Sequence, residues 1–441
     1  RILAGIILLP FLYISAGSNF YLLTVIAVYC EIFRIDDPGR FLRSLLLCAI
    51  TVFIPFSLSK YYLITIGQSF TYMSEMSKNS EFKYFLPLMS LIITVIIAGL
   101  TIEKIKGNIN SSLSFLIQFI VVVVLVVSGI WRNADFSMER ILRLDYEASH
   151  NRWKTVYDLS QKYKMRDNLS AYYTNMALAR LGLISDSLME HYQPAAKGLF
   201  IPVNPDENYI AITFSNEVYW QLGDINASQH SALLGMIFSP RAQNSRLMKR
   251  LTEINIVNGE YAVAEKYIKI LEKTLFHHKW ASSRRKFLYD EKECSGSSWI
   301  QEKRAIMPSK DLLKKRNEYA KTLRMLADDH PENRMAVDYL LCYYLLCKDI
   351  RSFTIDFDKY YASDRNRLLP KVYQEGLLIW IASGGGNFQD YNKFRFSPAI
   401  VKDFKDYSDL FEKNRGNGTA LQKKYSKTYW FYFHYVTIKS E

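Results

Sequence analysis

The residues best suited to acid–base or metal chemistry are few and poorly spaced for a shared site. His277 and His278 are adjacent, so on a helix they would point about 100° apart and chelate one metal ion badly. The Asp-Asp-His tract at 328–330 precedes a proline and is typical of a turn after a helix. The acidic pair at 36–37 precedes Pro-Gly and predicts the start of the next helix. The sequence therefore predicts no catalytic residue, no metal site and no bound cofactor.

Neither the glycine run at 384–386 nor the five cysteines indicate nucleotide or thiol chemistry. The glycine run lacks the Lys-Ser/Thr pair of a phosphate-binding loop and follows a helical pattern rather than a strand. An odd number of cysteines without a regular framework argues against a disulfide-stapled domain. Cys342 and Cys347 would lie about 140° apart on a helix, so we expect buried free thiols.

The sequence changes in character near residue 131. The predicted elements that would have to position any site therefore differ before and after this point. Before it the chain consists largely of uncharged apolar runs, and after it about 310 residues are charged, aromatic-rich and helix-patterned. A helix needs about 20 apolar residues to cross the hydrocarbon core of a bilayer. We therefore predict a transmembrane domain of about four or five helices over 1–131, with a missing upstream part because the chain starts inside an apolar run. The apolar runs span 2–30, 44–59, 84–102 and 107–131.

A turn sequence, Gly17-Ser-Asn, divides the first apolar run. It predicts helices at about 2–16 and 20–34, and a single tilted helix is the alternative. The tyrosine-rich segment 61–76 predicts an interfacial helix or an ordered loop rather than a full span. Further membrane spans are predicted at about 41–57, 84–102 and 112–131.

Positive charge in the short loops gives the predicted orientation. The loops 35–43 and 103–111 carry arginines or lysines, which places both on the cytoplasmic side. The segment 58–83 and the region 135–441 then lie outside the cytoplasm. Three arginines between 132 and 143 are the signal in the opposite direction.

The net charge of +13 indicates which kinds of partner the chain could bind. Residues 1–131 hold nine basic and six acidic side chains, which leaves a net charge of +10 for the remainder. This surplus favours an anionic lipid surface, an acidic glycan or an acidic protein. Because the basic residues form no tract, no nucleic-acid partner is expected.

From residue 135 onward the pattern is helix, short turn, helix. Gly182, Gly223 and Gly259 each follow a helical pattern, which is typical of a left-handed helix end, and they are 41 and 36 residues apart. A helical hairpin that recurs at 34 residues or slightly more indicates a tetratricopeptide-like solenoid. We therefore predict an all-α protein, with a degenerate helical-repeat domain over 135–441. The aromatic tail 429–436 is expected to pack back on this domain or to touch the membrane interface.

A solenoid of helix pairs has a concave face that can bind a peptide or a partner helix. Asn175, Tyr219 and Asn255 stand at comparable positions ahead of the three glycines. We predict that they line a partner groove. The alternative is that these side chains hold adjacent helices together.

Three segments, 175–182, 255–280 and 429–435, resemble an uncharacterised bacterial family. Its members are multi-pass membrane proteins with a tetratricopeptide-like carboxy-terminal region. The resemblance covers essentially the whole chain, with a fuller membrane region upstream in relatives. It implies a bacterial inner-membrane protein, and it brings no activity with it. With the orientation predicted from the loop charges, the carboxy-terminal domain would be periplasmic.

The predicted function is a protein–protein interaction scaffold or assembly module, held in the lipid bilayer and bound to a protein partner. Two other classes stay open. One is a cell-envelope glycan enzyme of the lipid-linked sugar glycosyltransferase type, with its catalytic residues in the missing upstream part. The other is a transporter, which ranks third because the apolar runs carry almost no ionisable residues.

Overall fold

The computed structural model describes residues 2–17, 20–33, 37–62, 66–70, 120, 124, 136–202, 209–239, 243–310, 318–361, 368–391, 394–414 and 416–438. Within those ranges the regular elements are helices, which confirms the all-α prediction, and the β pairing is one isolated bridge between Leu368 and Arg395. Two compact units are present. The first comprises 1–134, 243–245 and 265–285, and the second comprises 135–242, 246–264 and 286–441. The predicted domain boundary at 131–135 stays a prediction.

The first unit contains four helices before residue 71. The predicted helices at about 2–16 and 20–34 are confirmed, and Gly17 between them has a positive φ of 59°. The third helix extends beyond its predicted range of 41–57 at both ends. Among the described residues it is the one helix long and apolar enough to cross a membrane. The helices are α1 (Ile2–Ala16), α2 (Phe20–Phe33), α3 (Arg40–Tyr62) and α4 (Ile66–Phe70).

Other membrane predictions lie largely outside the described residues. Residues 61–62 of the predicted interfacial segment continue α3, and 66–70 form α4. The predicted spans at 84–102 and 112–131, and the loop 103–111, fall almost wholly outside the described ranges. They stay predictions.

The helices of the first unit are joined by small polar contacts as well as apolar ones. Tyr13 and Phe20 pack edge to face with ring centroids 5.2 Å apart. The hydroxyl groups of Thr24 and Thr51 lie 2.9 Å apart between α2 and α3. Thr51 also donates to the carbonyl of Leu47 in its own helix at 2.8 Å. Hydroxyls therefore lie on the inner face of α3.

Asp37 lies at the start of α3, as the sequence predicts. Its carboxylate accepts the backbone N–H of Gly39 at 3.1 Å and pairs with Arg43 at 2.7 Å. Arg43 also pairs with Glu31 of α2 at 2.9 Å. The acidic residue thus orders the turn between two helices, which is the structural interpretation made from the sequence.

Helices continue through the rest of the chain. Neighbours in sequence pack on each other, for example α6 on α7, α10 on α11 and α17 on α18. The helices after residue 135 are α5 (Phe136–Ser149), α6 (Trp153–Tyr163), α7 (Asn168–Arg180), α8 (Ile184–Ser187), α9 (Tyr209–Phe214), α10 (Asn216–Leu222), α11 (Ile225–Phe238), α12 (Ser245–Val257), α13 (Tyr261–Leu271), α14 (His278–Arg284), α15 (Glu291–Ser295), α16 (Ser298–Ala305), α17 (Tyr319–Asp329), α18 (Arg334–Leu346), α19 (Ile350–Tyr361), α20 (Lys371–Ala382), α21 (Pro398–Lys413), α22 (Thr419–Tyr425) and α23 (Tyr429–Tyr435).

The three predicted helix-ending glycines are confirmed. Gly182, Gly223 and Gly259 follow α7, α10 and α12 with φ values of 70°, 90° and 78°. A residue with a side chain is strained at such angles. Each glycine therefore lets the chain leave one helix and start the next within two or three residues.

Aromatic side chains fill the core of the second unit. Phe200 stacks on Tyr319 with centroids 4.4 Å apart, and Phe357 stacks on Tyr361 at 5.1 Å. Two buried tyrosine hydroxyls share one acceptor, since Tyr361 and Tyr373 both donate to the carboxylate of Asp338. The five cysteines are free thiols, two of them fully inside the fold.

The last helix, α23, packs back on the second unit, which confirms the first of the two alternatives for the aromatic tail. Tyr429, Trp430 and Tyr432 are buried. The Tyr432 hydroxyl donates to the carbonyl of Leu346 at 2.8 Å, and the backbone N–H of Tyr429 donates to Glu375 at 2.6 Å. A buried carboxyl on α20 therefore holds the first turn of α23.

Burial raises the pKa of Glu375 from its usual 4.5 to about 7. The folded state therefore binds this proton more strongly than the unfolded chain, and the resulting stability is present below pH 4.5 and is lost as the pH rises through 7. We expect Glu375→Gln, which keeps an oxygen acceptor for Tyr429, to match the native protein at pH 4.5. At pH 8 it should raise the free energy of unfolding by about 1–3 kcal/mol.

The measurement is denaturant unfolding of the full chain in detergent at both pH values. Glu412→Gln, at an exposed position on α21, is the matched control and should leave the pH dependence unchanged. Equal pH dependence in native protein and Glu375→Gln would contradict the prediction.

Candidate functional site

Asn175, the first predicted groove residue, lies on α7 and is fully buried. Its amide nitrogen donates to the side chain of Gln193 at 2.9 Å and to the carbonyl of Gly198 at 2.8 Å. Its oxygen accepts from the amide of Gln193 at 3.0 Å. The hydrogen-bonding groups of Asn175 thus tie α7 to the connection at 193–198.

Asn255 is buried as well, whereas Tyr219 is partly exposed. The ring of Tyr219 on α10 lies 5.7 Å from Phe200, and the amide of Asn255 on α12 donates to the carbonyl of Leu251 at 2.6 Å. No hydrogen bond or ring contact among the described residues joins the three predicted side chains. The geometry agrees with the alternative that they hold helices together, and their role as partner contacts stays a prediction.

Four charged side chains that the sequence did not single out form a buried ionic cluster. Glu217 is fully buried and pairs with Arg250 at 2.7 Å and Arg246 at 3.3 Å. Arg246 also hydrogen-bonds to both carboxylate oxygens of Asp145, in one case at 3.0 Å. The cluster joins α5, α10 and α12, and its two arginines are one turn apart on α12.

The two arginines favour the ionised form of Glu217. Burial alone would raise the pKa of Glu217, but Arg250 and Arg246 outweigh it and hold that pKa below its usual value. Arg250 lies in addition 4.4 Å from the centre of the Trp220 ring. A carboxylate so fully paired is suited to fixing helices rather than to moving a proton.

Lys303 on α16 approaches the same tryptophan from another helix. Its ammonium lies 5.3 Å from the centre of the Trp220 ring and 3.9 Å from Glu302, and among the described residues its nitrogen has no hydrogen-bond partner. Burial lowers the pKa of Lys303 to about 7. This lysine therefore carries a substantial neutral fraction near neutral pH.

An open cavity of about 680 Å³ lies beside α5. We call it the basic cavity, because among the described residues that line it four side chains are cationic and one is acidic. Its apolar lining includes Met138, Ile141 and Ile201. The charged lining residues are Arg140, Lys164, Arg166, Lys197 and Asp167.

Local backbone geometry fixes the cations of the basic cavity. Lys164 ends α6 in the left-handed conformation, with φ 46°, and its N–H donates to Ser160. Asp167 starts α7 through a capping box with Ser170, whose N–H it accepts at 2.9 Å. The guanidinium of Arg140 lies 5.1 Å from the centre of the Tyr163 ring. The acidic residue thus serves a helix end, while the cations face an open volume that suits an anionic group.

The acidic and histidine tracts singled out in the sequence have separate partners. His277 lies 3.1 Å from Ser245, and the His278 ring contacts the carbonyl of Glu272 at 2.7 Å. Asp329 accepts from Ser309 at 2.9 Å, while Asp328 pairs with Lys359 and Tyr360. Among the described residues no three His, Cys, Asp or Glu side chains are grouped as metal ligands.

Comparison with known proteins identifies the family of the chain. The model of a family of unknown function (DUF6057) matches residues 1–436, so the chain belongs to that family. No curated protein and no solved structure matches the chain.

The ionic cluster predicts a large cost for removing one buried charge. Glu217→Gln would leave Arg250 and Arg246 with less compensation inside the fold, so we expect a loss of about 3 kcal/mol or more in the free energy of unfolding. Glu253→Gln removes a partly exposed partner of Arg250 and should cost about 0.5 kcal/mol. Denaturant unfolding compares the two variants, and equal losses would contradict a special role for Glu217.

Replacement of Lys303 should have the opposite effect to replacement of Glu217, because burying the charge of Lys303 opposes folding. Because its pKa is lowered from 10.5 to about 7, stability is lost as the pH falls through 7 and recovers toward pH 10. We expect Lys303→Met, which keeps the contact with Trp220, to stabilise the fold by roughly 1–3 kcal/mol at pH 6. The gain should shrink at pH 9.5.

Thermal and denaturant unfolding at the two pH values measure this effect. Lys292→Met, at an exposed position on α15, is the control and should show no pH-dependent gain. A destabilised Lys303→Met protein at pH 6 would show that the ammonium is paired in the folded state.

Proposed function

We propose that this member of DUF6057 is a membrane-tethered scaffold at the bacterial inner membrane. Several membrane-spanning helices anchor it, and a tetratricopeptide-like region outside the cytoplasm holds an acidic segment of a partner protein. The observation that carries the proposal is the basic cavity, which presents four cations around an apolar wall.

Support for the membrane anchor comes from the distribution of side chains on α3. At about 1.5 Å per residue, its 23 residues reach across the roughly 30 Å hydrocarbon core. Its buried positions include Ser44, Thr51 and Ser59, whereas Leu45 and Phe53 are exposed. Small polar residues between helices and large apolar ones outside are typical of membrane helices. An exposed apolar face of this size suits lipid rather than water.

Support for a repeat-like region comes from the helix pairs. The pairs α7–α8, α10–α11 and α12–α13 are each separated by a glycine in the left-handed conformation. Asn175 and Asn255 fix internal contacts within this region. In repeat proteins, helix pairs of this kind stack into a rigid frame on which a binding surface can be built.

The choice of an acidic protein segment follows from the lining of the cavity. Lysines and arginines attract carboxylates, and the neighbouring Met138, Ile141 and Ile201 give apolar contact to the stem of a glutamate or a nearby aliphatic residue. The region after residue 131 is also basic overall, with a net charge of +10. Such a surface speeds the approach of an acidic partner.

The test reverses charge in the basic cavity. The double variant Arg140→Glu and Lys197→Glu is compared with Lys402→Glu and Lys405→Glu, an equal change of charge on exposed residues of α21. Binding of a fluorescent ten-residue glutamate-rich peptide to the full chain in detergent is followed by anisotropy. We expect the first variant to weaken binding by about tenfold or more, with little change in the second.

Competition with inorganic pyrophosphate distinguishes the scaffold from the glycan-enzyme class. If pyrophosphate displaces the peptide at far lower concentration, the cavity serves the phosphates of a lipid-linked sugar, and the glycan-enzyme class replaces the scaffold. Binding of neither probe, or equal loss in both double variants, would contradict the proposal. Far-ultraviolet circular dichroism confirms that each variant is folded.

A further inference from the structure

A short loop of the first unit, residues 272–280, lies against the end of α3. We call it the interfacial loop. The backbone N–H of Leu275 donates to the carbonyl of Tyr61 at 2.9 Å. The rings of Phe276 and Tyr62 meet edge to face with centroids 5.6 Å apart. The far end of the long apolar helix is thus joined to a segment more than 200 residues further along the chain.

The tip of this loop is apolar and open. Leu275 is 50 % exposed and Phe276 is 65 % exposed, and Tyr61 beside them is 51 % exposed. Removal of leucine and phenylalanine side chains from water is favourable. Leu275 and Phe276 would therefore be favoured in the same apolar environment that suits the outer face of α3.

Cations and an indole flank the apolar tip. Lys273 and Lys279 are exposed on either side of Leu275 and Phe276. Trp280 follows, with the guanidinium of Arg284 5.0 Å from the centre of its ring. Segments at the boundary between acyl chains and headgroups typically contain tryptophan and lysine next to apolar side chains. The positive charge is complementary to anionic lipid headgroups.

Hydrogen bonds hold the loop in one conformation. The Thr274 hydroxyl donates to the carbonyl of Leu271 at 2.6 Å and accepts the N–H of His277 at 3.2 Å. Arg285 binds both carboxylate oxygens of Glu272 at 2.6 and 2.7 Å. A loop ordered in advance loses little conformational entropy when it meets a surface.

We infer that the interfacial loop docks on the lipid bilayer at the end of α3. Leu275 and Phe276 enter the boundary of the acyl chains, and Lys273 and Lys279 lie among anionic headgroups. The inference rests on the proposed membrane anchor.

Lipid is favoured over a protein partner by the position of the loop. The loop is fixed to Tyr61, the last residue but one of the helix whose length and apolar surface suit a bilayer. An exposed tip at that point lies at the depth where the helix leaves the hydrocarbon core. Lys273 and Lys279 add electrostatic attraction to an anionic membrane surface.

The experiment uses the full chain with Cys30, Cys48 and Cys347 replaced by alanine and one new cysteine labelled with a nitrobenzoxadiazole dye. The labelled positions are Phe276→Cys in the loop, Leu45→Cys on the outer face of α3, and Tyr289→Cys, an exposed residue of the second unit. Each protein is reconstituted in vesicles of three parts phosphatidylcholine to one part phosphatidylglycerol, with or without lipids spin-labelled on the acyl chain.

We expect the spin-labelled lipids to lower the emission of the dye at position 276 roughly twofold, as at position 45, and to leave position 289 unchanged. Adding Lys273→Glu and Lys279→Glu to the Phe276→Cys protein should reduce this quenching in the anionic vesicles. The same pair of changes should have little effect in pure phosphatidylcholine.

Two failures can be told apart. Quenching at position 45 without quenching at position 276 overturns the docking of the loop and leaves the membrane anchor in place. Absence of quenching at both positions overturns the membrane anchor as well.

Discussion

The second unit depends on the pairing of Glu217 with Arg246 and Arg250. A buried carboxylate is tolerated only where cations meet it, because its removal from water costs several kcal/mol. Arg246 extends the requirement to Asp145 on α5, so three helices have one arrangement that leaves no charge unpaired. The position of α5 in turn sets where Arg140 and Met138 stand in the wall of the basic cavity. We infer that the ionic cluster specifies geometry more than it adds net stability.

In both units, the placement of a side chain follows the free-energy cost of its environment. In the second unit tyrosine and phenylalanine rings fill the interior, and charged side chains cover much of the surface. In α3 the hydroxyls of Ser44 and Thr51 face neighbouring helices while Leu45 and Phe53 face outward. Each side chain takes the environment that costs it least free energy, and the outward face of α3 is therefore the physical basis for proposing a bilayer around it.

The sequence predicts the elements that depend on local signals. The turn at Gly17, the helix ends at Gly182, Gly223 and Gly259, and the packing of α23 all follow from residue type and periodicity. The ionic cluster could not be predicted in the same way. In the sequence, Arg246 and Arg250 show only a spacing of four residues. Glu217 and Asp145, the carboxylate partners of Arg246, are 29 and 101 residues away from it. Pairing across such distances is a property of the tertiary fold.

Asn175 shows why a binding face is harder to predict than a helix. Its place ahead of a helix-ending glycine suggested a partner groove, yet the connection at 193–198 folds over it and satisfies its amide. The exposed features are found elsewhere, in the basic cavity and the interfacial loop. The chain enters the second unit after residue 134 and returns to the first unit at 265–285. The chain thus crosses between the two units more than once, and no local signal in the sequence indicates this connectivity.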